Sequence, residues 1–198
     1  VFLRPYDGFY DYANRLSAGQ KVLLSTSNVN TKVLTSIPTG VHIIDRPNPT
    51  EAMKGVKNSV EAANMAQAHL YDGIALTRFM YWLKKNVGKI PMTEISISDY
   101  LAGLRAEQEG FLDLSFDTIC GYADHGAIVH YAATPESDVP VKPCSFLLVD
   151  SGGHYLEGTT DITRTFALGP VTEEMKADYT RVCRSNLNLA NARFLYGC

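Results

Sequence analysis

The sequence has neither a concentrated positive charge nor a long apolar run. Its formal net charge is −3 over 198 residues, and its basic residues form no cluster of the kind that binds polyanions, so no nucleic-acid partner is expected. The apolar runs are too short to cross a bilayer, which argues against a membrane partner. A secretory signal peptide is excluded in residues 1–20 by four charged side chains, Arg4, Asp7, Asp11 and Arg15.

The four cysteines form no C-x-x-C pair. They match neither a zinc knuckle nor a disulfide scaffold, and we expect reduced thiols in a cytoplasmic protein. An initiating methionine is also missing, because the chain opens on Val1, and we expect the true N-terminus to lie upstream. The hydrophobic content of 45% is ordinary for a globular protein, and 198 residues allow one large domain or one domain with a piece of another.

Two prolines within residues 46–50 mark the clearest boundary in the chain, since they forbid a helix across it. The part before it is too small to build an independent core. We therefore expect residues 1–45 to be the end of a larger domain. The predicted elements of this part are a helix over residues 5–16 and strands over residues 21–24 and 41–45.

Beyond the boundary, apolar residues recur at helical spacing from Thr50 as far as Gly88. A second helix is predicted from an N-cap at Thr93 or Ser96 to Gly110. The apolar period then shortens to two, which is typical of strands, and a last helix is predicted to begin at Thr172. The predicted strands are residues 115–119, 128–131, 145–150 and 159–168. This order predicts an α+β fold with two long helices, an antiparallel sheet and a C-terminal helix.

Residues 147–165 hold two aspartates, Asp150 and Asp161, eleven positions apart in β-type sequence with a turn-like segment between them. If the chain turns near Leu156 and Glu157, the two acids fall nearly opposite each other on neighbouring strands. Directly opposed residues have Cβ atoms about 4.5–5.5 Å apart. Carboxylates that close repel unless a cation lies between them, and hard divalent metals suit such a pair. Solvated acids on a surface hairpin are the alternative.

Three blocks of sequence carry a resemblance to a known family. The segments are D-S-G at residues 150–152 with E-G-T-T-D-I-T-R-T at 157–165, S-F-D-T-I at 115–119, and G-A-I-V-H-Y at 126–131. In this order they resemble Xaa-Pro aminopeptidases (aminopeptidase P), which are pita-bread dinuclear metallopeptidases related to prolidases, methionine aminopeptidases and creatinases.

The resemblance implies a division of the chain into two domains. Residues 1–46 would be the C-terminal part of the preceding non-catalytic domain, an αβ remnant of a creatinase-type N-domain. Residues 47–198 would be the N-terminal half of the pita-bread catalytic domain, truncated before its second half.

Site residues follow from the resemblance position by position. Asp150 and Asp161 match the first two metal ligands, the second of which bridges both ions in the family. His130 matches a histidine that lines the substrate site, the alternative being a half-buried strand histidine bonded to backbone. Arg164 is expected to orient the ligand carboxylates, with a surface salt bridge as the alternative. The family usually has another residue where this chain has His125, and we expect His125 to lie in a solvated loop.

The activity implied for the intact protein is hydrolysis of the N-terminal Xaa-Pro bond by a hydroxide activated by two divalent ions, most simply Mn²⁺. Its partners would be peptides with proline at the second position. The histidine and two glutamates that complete the family's site do not occur here. We therefore expect this fragment alone to be inactive and to bind metal weakly or not at all, and its uncovered strand edges suggest a homodimer. A prolidase, a creatinase-like enzyme and a non-catalytic pita-bread protein remain alternatives.

Overall fold

The computed structural model describes residues 3–195 and divides the chain into two compact units, residues 1–59 and residues 60–198. The assignment of residues 1–46 and 47–198 to two domains of a longer protein stays a prediction. None of the helices within residues 3–195 is long and apolar enough to cross a membrane.

The first unit pairs two short parallel strands and adds three short helices. Its elements are α1 (Gly8–Asn14), β1 (Lys21–Leu24), α2 (Thr31–Ser36), β2 (His42–Asp45) and α3 (Pro49–Gly55). Both predicted strands are confirmed, and they pair with Lys21 opposite His42. Asn48 caps α3 by accepting a hydrogen bond from the Thr50 backbone N–H, and Pro49 takes the first helical position, where its missing N–H costs nothing.

Three longer helices belong to the second unit: α4 (Ser59–Asn86), α5 (Glu94–Ala106) and α6 (Glu173–Ala190). The single helix predicted from Thr50 is interrupted, because Val56 adopts extended backbone between α3 and α4. Of the two candidate caps of α5, Thr93 is the one used. Its side chain accepts from the Ser96 N–H, and Ser96 Oγ accepts in return from the Thr93 N–H, which forms a reciprocal capping box.

Five antiparallel strands follow α5: β3 (Phe111–Leu114), β4 (Ile119–Tyr122), β5 (Phe146–Ser151), β6 (Gly153–Tyr155) and β7 (Ile162–Ala167). One sheet has the order β4-β5-β7, and the other pairs β3 with β6. The strands predicted at 145–150 and 159–168 correspond to β5 and β7. Those predicted at 115–119 and 128–131 are wrong: the first is mostly the connection from β3 to β4, and the second is a turn after a 3₁₀ helix, Ala123–Ala127. A strand at 128–131 would have had no place beside β5, since β4 and β7 occupy both of its edges.

The core lies between one face of the three-stranded sheet and the helices α4 and α5. Leu147 pairs directly with Phe166 across β5 and β7, and both are buried. The Phe166 ring meets Phe79 of α4 edge-on at 5.9 Å. Because side chains alternate along a strand, the other face of β5 carries Phe146, Leu148 and Asp150. This second face is only half-buried, and α6 reaches it where Tyr179 packs 5.6 Å from Phe146.

A fully buried ion pair joins the helices to the strands. Arg105 of α5 donates two hydrogen bonds to the Asp72 carboxylate of α4, at 2.6 and 3.2 Å, and both side chains are 0% exposed. Tyr155 of β6 donates its hydroxyl to the same carboxylate at 3.0 Å. Burial, reinforced by the Asp72 charge, raises the pKa of Tyr155, so the hydroxyl remains a donor at neutral pH. Three elements therefore share one buried carboxylate.

Replacing Asp72 with Asn is expected to lower the free energy of unfolding by about 3–5 kcal/mol, because Arg105 would stay buried without its counter-charge. The matched control is the ion pair between Arg78 and Glu107, whose side chains are 50% and 57% exposed. There Arg78→Gln should cost less than about 1 kcal/mol. Urea denaturation of the two variants measures the difference, and equal losses would contradict the role given to the buried pair.

Candidate metal centre

The two aspartates lie on one face of the hairpin formed by β5 and β7. Asp150 belongs to the central strand, where it pairs with Ile119 on one side and Thr163 on the other. Asp161 directly precedes β7 and is two residues from Thr163, so it shares the face of Asp150. The acids are diagonal neighbours, a geometry in which Cα atoms lie about 7–8 Å apart. This refines the expected near-opposite arrangement and still leaves room for a cation between the carboxyl groups.

The turn of this hairpin lies where the sequence predicts it. The backbone groups of Tyr155 and Gly158 bond to each other in both directions, at 2.8 and 3.2 Å, and enclose Leu156 and Glu157 as a two-residue turn. The turn fixes the register of the strands, because an antiparallel pair is counted outward from it.

Gly152, directly beyond β5, allows three segments to meet beside the acids. A Cβ atom added to Gly152 would collide with the carbonyl oxygen of Thr160 and lie 2.5 Å from Ser115 Oγ. Ser115 Oγ itself donates to the Thr160 carbonyl at 2.9 Å. Thr160 is fully buried, and its hydroxyl accepts from the Gly153 N–H at 2.9 Å. These contacts fix the backbone just before Asp161, so Gly152 and Thr160 determine the path of the chain beside the acids.

Asp150 carries the feature that fits a metal ion. Its Oδ1 atom is buried and has no hydrogen-bond partner among the described residues. A buried acceptor left unsatisfied costs about 1–3 kcal/mol, and more when it is charged. The neighbouring acid Asp161 is exposed and adds a second carboxylate on the same face. Oxygen donors of this kind are the ligands that hard divalent cations prefer. Within residues 3–195, no three His, Cys, Asp or Glu side chains converge on one metal position.

A groove of about 780 Å³ lies between β7 and α6. Thr163, the strand partner of Asp150, forms part of its wall, and the opposite wall carries Met175, Tyr179 and Val182 of α6. The groove is mainly apolar.

His130 lies in the turn after the 3₁₀ helix and not in a strand. It is exposed, and its backbone has φ = +56°, a left-handed conformation uncommon for a residue with a side chain. The half-buried strand position given as the alternative is therefore wrong, and the role of His130 in lining a substrate site stays a prediction. Among the described residues, no hydrogen bond or ion pair joins its side chain to Asp150 or Asp161.

Arg164 faces away from Asp150. It pairs with Val149 in the register of β5 and β7, and Val149 points to the opposite face of the sheet. Its guanidinium donates to the carbonyl oxygen of Thr163 at 2.8 Å. The fold does not bring Arg164 to the two carboxylates, and its role in orienting them stays a prediction.

One buried acid went unrecognised in the sequence. Glu94, the first residue of α5, is 0% exposed, and its carboxylate accepts three kinds of donor. These are the backbone N–H of Tyr122 at 2.7 Å, the Tyr131 hydroxyl at 2.9 Å and His125 Nδ1 at 2.9 Å. The solvated loop predicted for His125 is therefore wrong. In the sequence, Glu94 is indistinguishable from any acid in the first turn of a helix, and its donors come from residues more than 25 positions away.

Comparison with known proteins points in one direction. The pattern that defines metallopeptidase family M24 matches residues 63–195. Aminopeptidase P2 of Arabidopsis thaliana is 33% identical over the whole chain, and the chain covers 32% of that protein. A probable Xaa-Pro aminopeptidase P of Laccaria bicolor is 35% identical, again over the whole chain and 32% of its own length. The chain thus spans about a third of the length of the curated relatives it matches.

Solved structures give the same result. The X-prolyl aminopeptidase of Caenorhabditis elegans, described as a cytosolic enzyme with a di-nuclear active site, superimposes with a TM-score of 0.88 at 30% identity. The match covers 98% of this chain and 33% of that one. The prolidase of Pyrococcus furiosus, at a TM-score of 0.72 and 16% identity, shares the fold. The pita-bread fold predicted for the second unit is confirmed.

Gly152→Ala should destabilise the protein by at least about 1–3 kcal/mol, since the added methyl group meets backbone that cannot move without breaking the hairpin contacts. Gly73→Ala is the matched control, because a Cβ at Gly73 in the middle of α4 would meet nothing within 4 Å. That change should stabilise the helix by about 0.5–1 kcal/mol. Denaturation midpoints of the two variants are the measurement, and a shift in the same direction for both would contradict the close approach at Gly152.

Proposed function

Because the chain belongs to metallopeptidase family M24, we propose that it is part of an Xaa-Pro aminopeptidase, which removes the N-terminal residue from peptides with proline at the second position. The observation that carries this proposal is the placement of Asp150 and Asp161 on one sheet face, with a buried and unpaired carboxylate oxygen on Asp150. The names of the relatives support the choice of substrate.

Asp150 and Asp161 are the residues that we propose to hold metal. We propose two divalent ions, as in the di-nuclear active site described for the Caenorhabditis elegans enzyme, and Mn²⁺ as their identity because carboxylate oxygens suit it. Such ions, when bound, would lower the pKa of a water molecule and polarise the scissile carbonyl. Asp150 would contribute a ligand fixed by a strand that is paired on both sides. Asp161, exposed and anchored through Thr160, would contribute the carboxylate nearer to solvent.

The side chains around the acids have separate proposed tasks. His130 is exposed and would contact the peptide or carry a proton near its scissile bond. The groove between β7 and α6 would receive an apolar substrate side chain. Arg164 would act on the carboxylates only through the strand that it shares with Thr163. Each task can be tested by substitution.

These 198 residues should not be sufficient for catalysis. Catalytic metal sites generally use about three protein ligands for each ion, which is more than two aspartates supply. We propose that further ligands come from sequence equivalent to the rest of the relatives' length, and that the 198 residues alone bind Mn²⁺ weakly and are inactive. Calorimetry should detect only weak binding of Mn²⁺ to the 198 residues. A sub-micromolar dissociation constant would contradict the proposal.

Two further properties belong to the same proposal. We propose a cytoplasmic location, supported by the free thiols at Cys120, Cys144 and Cys183 and by the cytosolic description of the Caenorhabditis elegans enzyme; Cys198 lies outside the described residues. We also propose a homodimer, since apolar side chains outside the groove, Leu112 of β3 and Leu189 of α6, are exposed. Size-exclusion chromatography with light scattering would test the dimer.

The decisive assay uses the complete gene product that contains this chain, with added Mn²⁺ and a tripeptide with proline second. Asp150→Asn and Asp161→Asn should each reduce kcat/KM by about 100-fold or more, because replacing a ligand is more severe than the loss of a supporting residue. Glu173→Gln, at a 90% exposed acid in the first turn of α6, is the control and should leave the rate unchanged.

No cleavage by the unaltered protein, or full activity of Asp161→Asn, would overturn the proposal. Comparing the tripeptide with an Xaa-Pro dipeptide separates the two related activities. Preference for the dipeptide would identify a prolidase in place of an aminopeptidase.

A further inference from the structure

The segment that carries His130 is hydrogen-bonded at three points to one buried carboxylate, that of Glu94. Glu94 of α5 accepts from Tyr122 at the start of this segment, from His125 within it and from Tyr131 at its end. The segment spans residues 122–131 and is otherwise exposed over much of its length. The anchors are therefore distributed so that they determine the path of the whole loop.

Backbone strain lies just inside the two outer anchors. Ala123, next to Tyr122, has φ = +50°, and His130, next to Tyr131, has φ = +56°. Residues with a Cβ atom avoid this region and remain in it only where the surroundings over-determine their conformation. The bonds of Tyr122 and Tyr131 to Glu94 supply that restraint at the two ends.

His125 supplies the middle restraint. Its Nδ1 atom lies 2.9 and 3.0 Å from the two oxygens of Glu94, and since a carboxylate only accepts, Nδ1 must carry the proton. The imidazole also packs 4.5 Å from the Tyr131 ring, so it supports the final anchor from the side. Its side chain is 26% exposed, which makes it replaceable without opening the core.

We propose that Glu94 and His125 are positioning residues that hold His130 in the orientation in which it meets the substrate. This inference rests on the proposed peptidase function and extends it to residues that do not themselves contact the peptide. A purely structural role, in which the network stabilises the fold without affecting His130, is the competing explanation.

Three variants of the complete gene product separate these explanations by kcat/KM. His125→Ala removes the donor and should reduce kcat/KM by about 10- to 100-fold, the range found when a supporting residue is lost. His125→Asn should stay within about threefold of the unaltered protein, because its amide N–H lies as many bonds from the backbone as Nδ1 and can still reach Glu94. His69→Ala is the control, since His69 is exposed on α4 and its Nδ1 lies 2.9 Å from the Met65 carbonyl oxygen of the same helix.

A double-mutant cycle tests whether the effect passes through His130. If His125 acts by positioning His130, His125→Ala should change kcat/KM by less than about threefold when His130 is already alanine. Independent losses that simply multiply would overturn the inference, as would an Asn variant that is as impaired as the Ala variant. A general loss of stability would affect both backgrounds alike.

Backbone hydrogen exchange supplies a readout that needs no activity. The amides of Ile128 and Tyr131 bond within the segment, to the carbonyls of His125 and Ile128. They should exchange about tenfold faster in His125→Ala, while the amides of β5 keep their protection. Tyr131→Phe, which removes only the hydroxyl, should give the same local pattern and serves if the alanine variant is poorly folded.

The outcomes distinguish the two proposals. Unchanged exchange at Ile128 and Tyr131 would overturn the positioning role whatever the activity is. Faster exchange in a protein that cleaves no proline peptide would instead overturn the peptidase function, and with it the task assigned to His130.

Discussion

The buried ion pair between Asp72 and Arg105 is the interaction on which the second unit depends. Both side chains are 0% exposed, so neither charge can be left without the other. The pair fixes α4 against α5, and the Tyr155 hydroxyl brings in β6 at the end of the hairpin. Since the turn after Tyr155 sets the register of β5 and β7, the placement of Asp150 and Asp161 follows from a contact that involves neither of them.

Strand periodicity couples this core to the candidate site. Val149 is 1% exposed and packs with the helices, while its neighbour Asp150 points to the half-buried face. A slip of one residue in the register would exchange the two side chains between faces. The aspartates are therefore kept on the half-buried face by the packing of the opposite, buried face, which carries Leu147, Val149 and Phe166. The close approach of Gly152 to the Thr160 backbone independently restrains the same register.

Local signals in the sequence were enough to place Asp150 and Asp161 on either side of a turn near Leu156 and Glu157, because spacing and turn chemistry operate over a few residues. They failed where partners are distant. His125 looked solvated because Glu94, 31 positions earlier, becomes its partner only after α5 docks. Residues 128–131 looked like a strand because β-branched residues satisfy that pattern, yet both edges of β5 were already taken. The three-residue strand β6 was too short to predict and exists through its pairing with β3.

The buried carboxylates of the second unit differ in how they are satisfied, and the difference supports the proposed position of the metal at Asp150. The Asp72 carboxylate accepts hydrogen bonds from a guanidinium and a hydroxyl. The Glu94 carboxylate accepts them from a backbone N–H, an imidazole and a hydroxyl, so protein donors satisfy both acids. Within residues 3–195, Asp150 Oδ1 and Glu157 Oε2 are the carboxylate oxygens left buried and unpaired. Glu157 belongs to the turn, whereas Asp150 shares its sheet face with a second acid. An ion there would satisfy the unpaired oxygen and relieve the repulsion between two carboxylates at once, which no protein donor near Asp150 does.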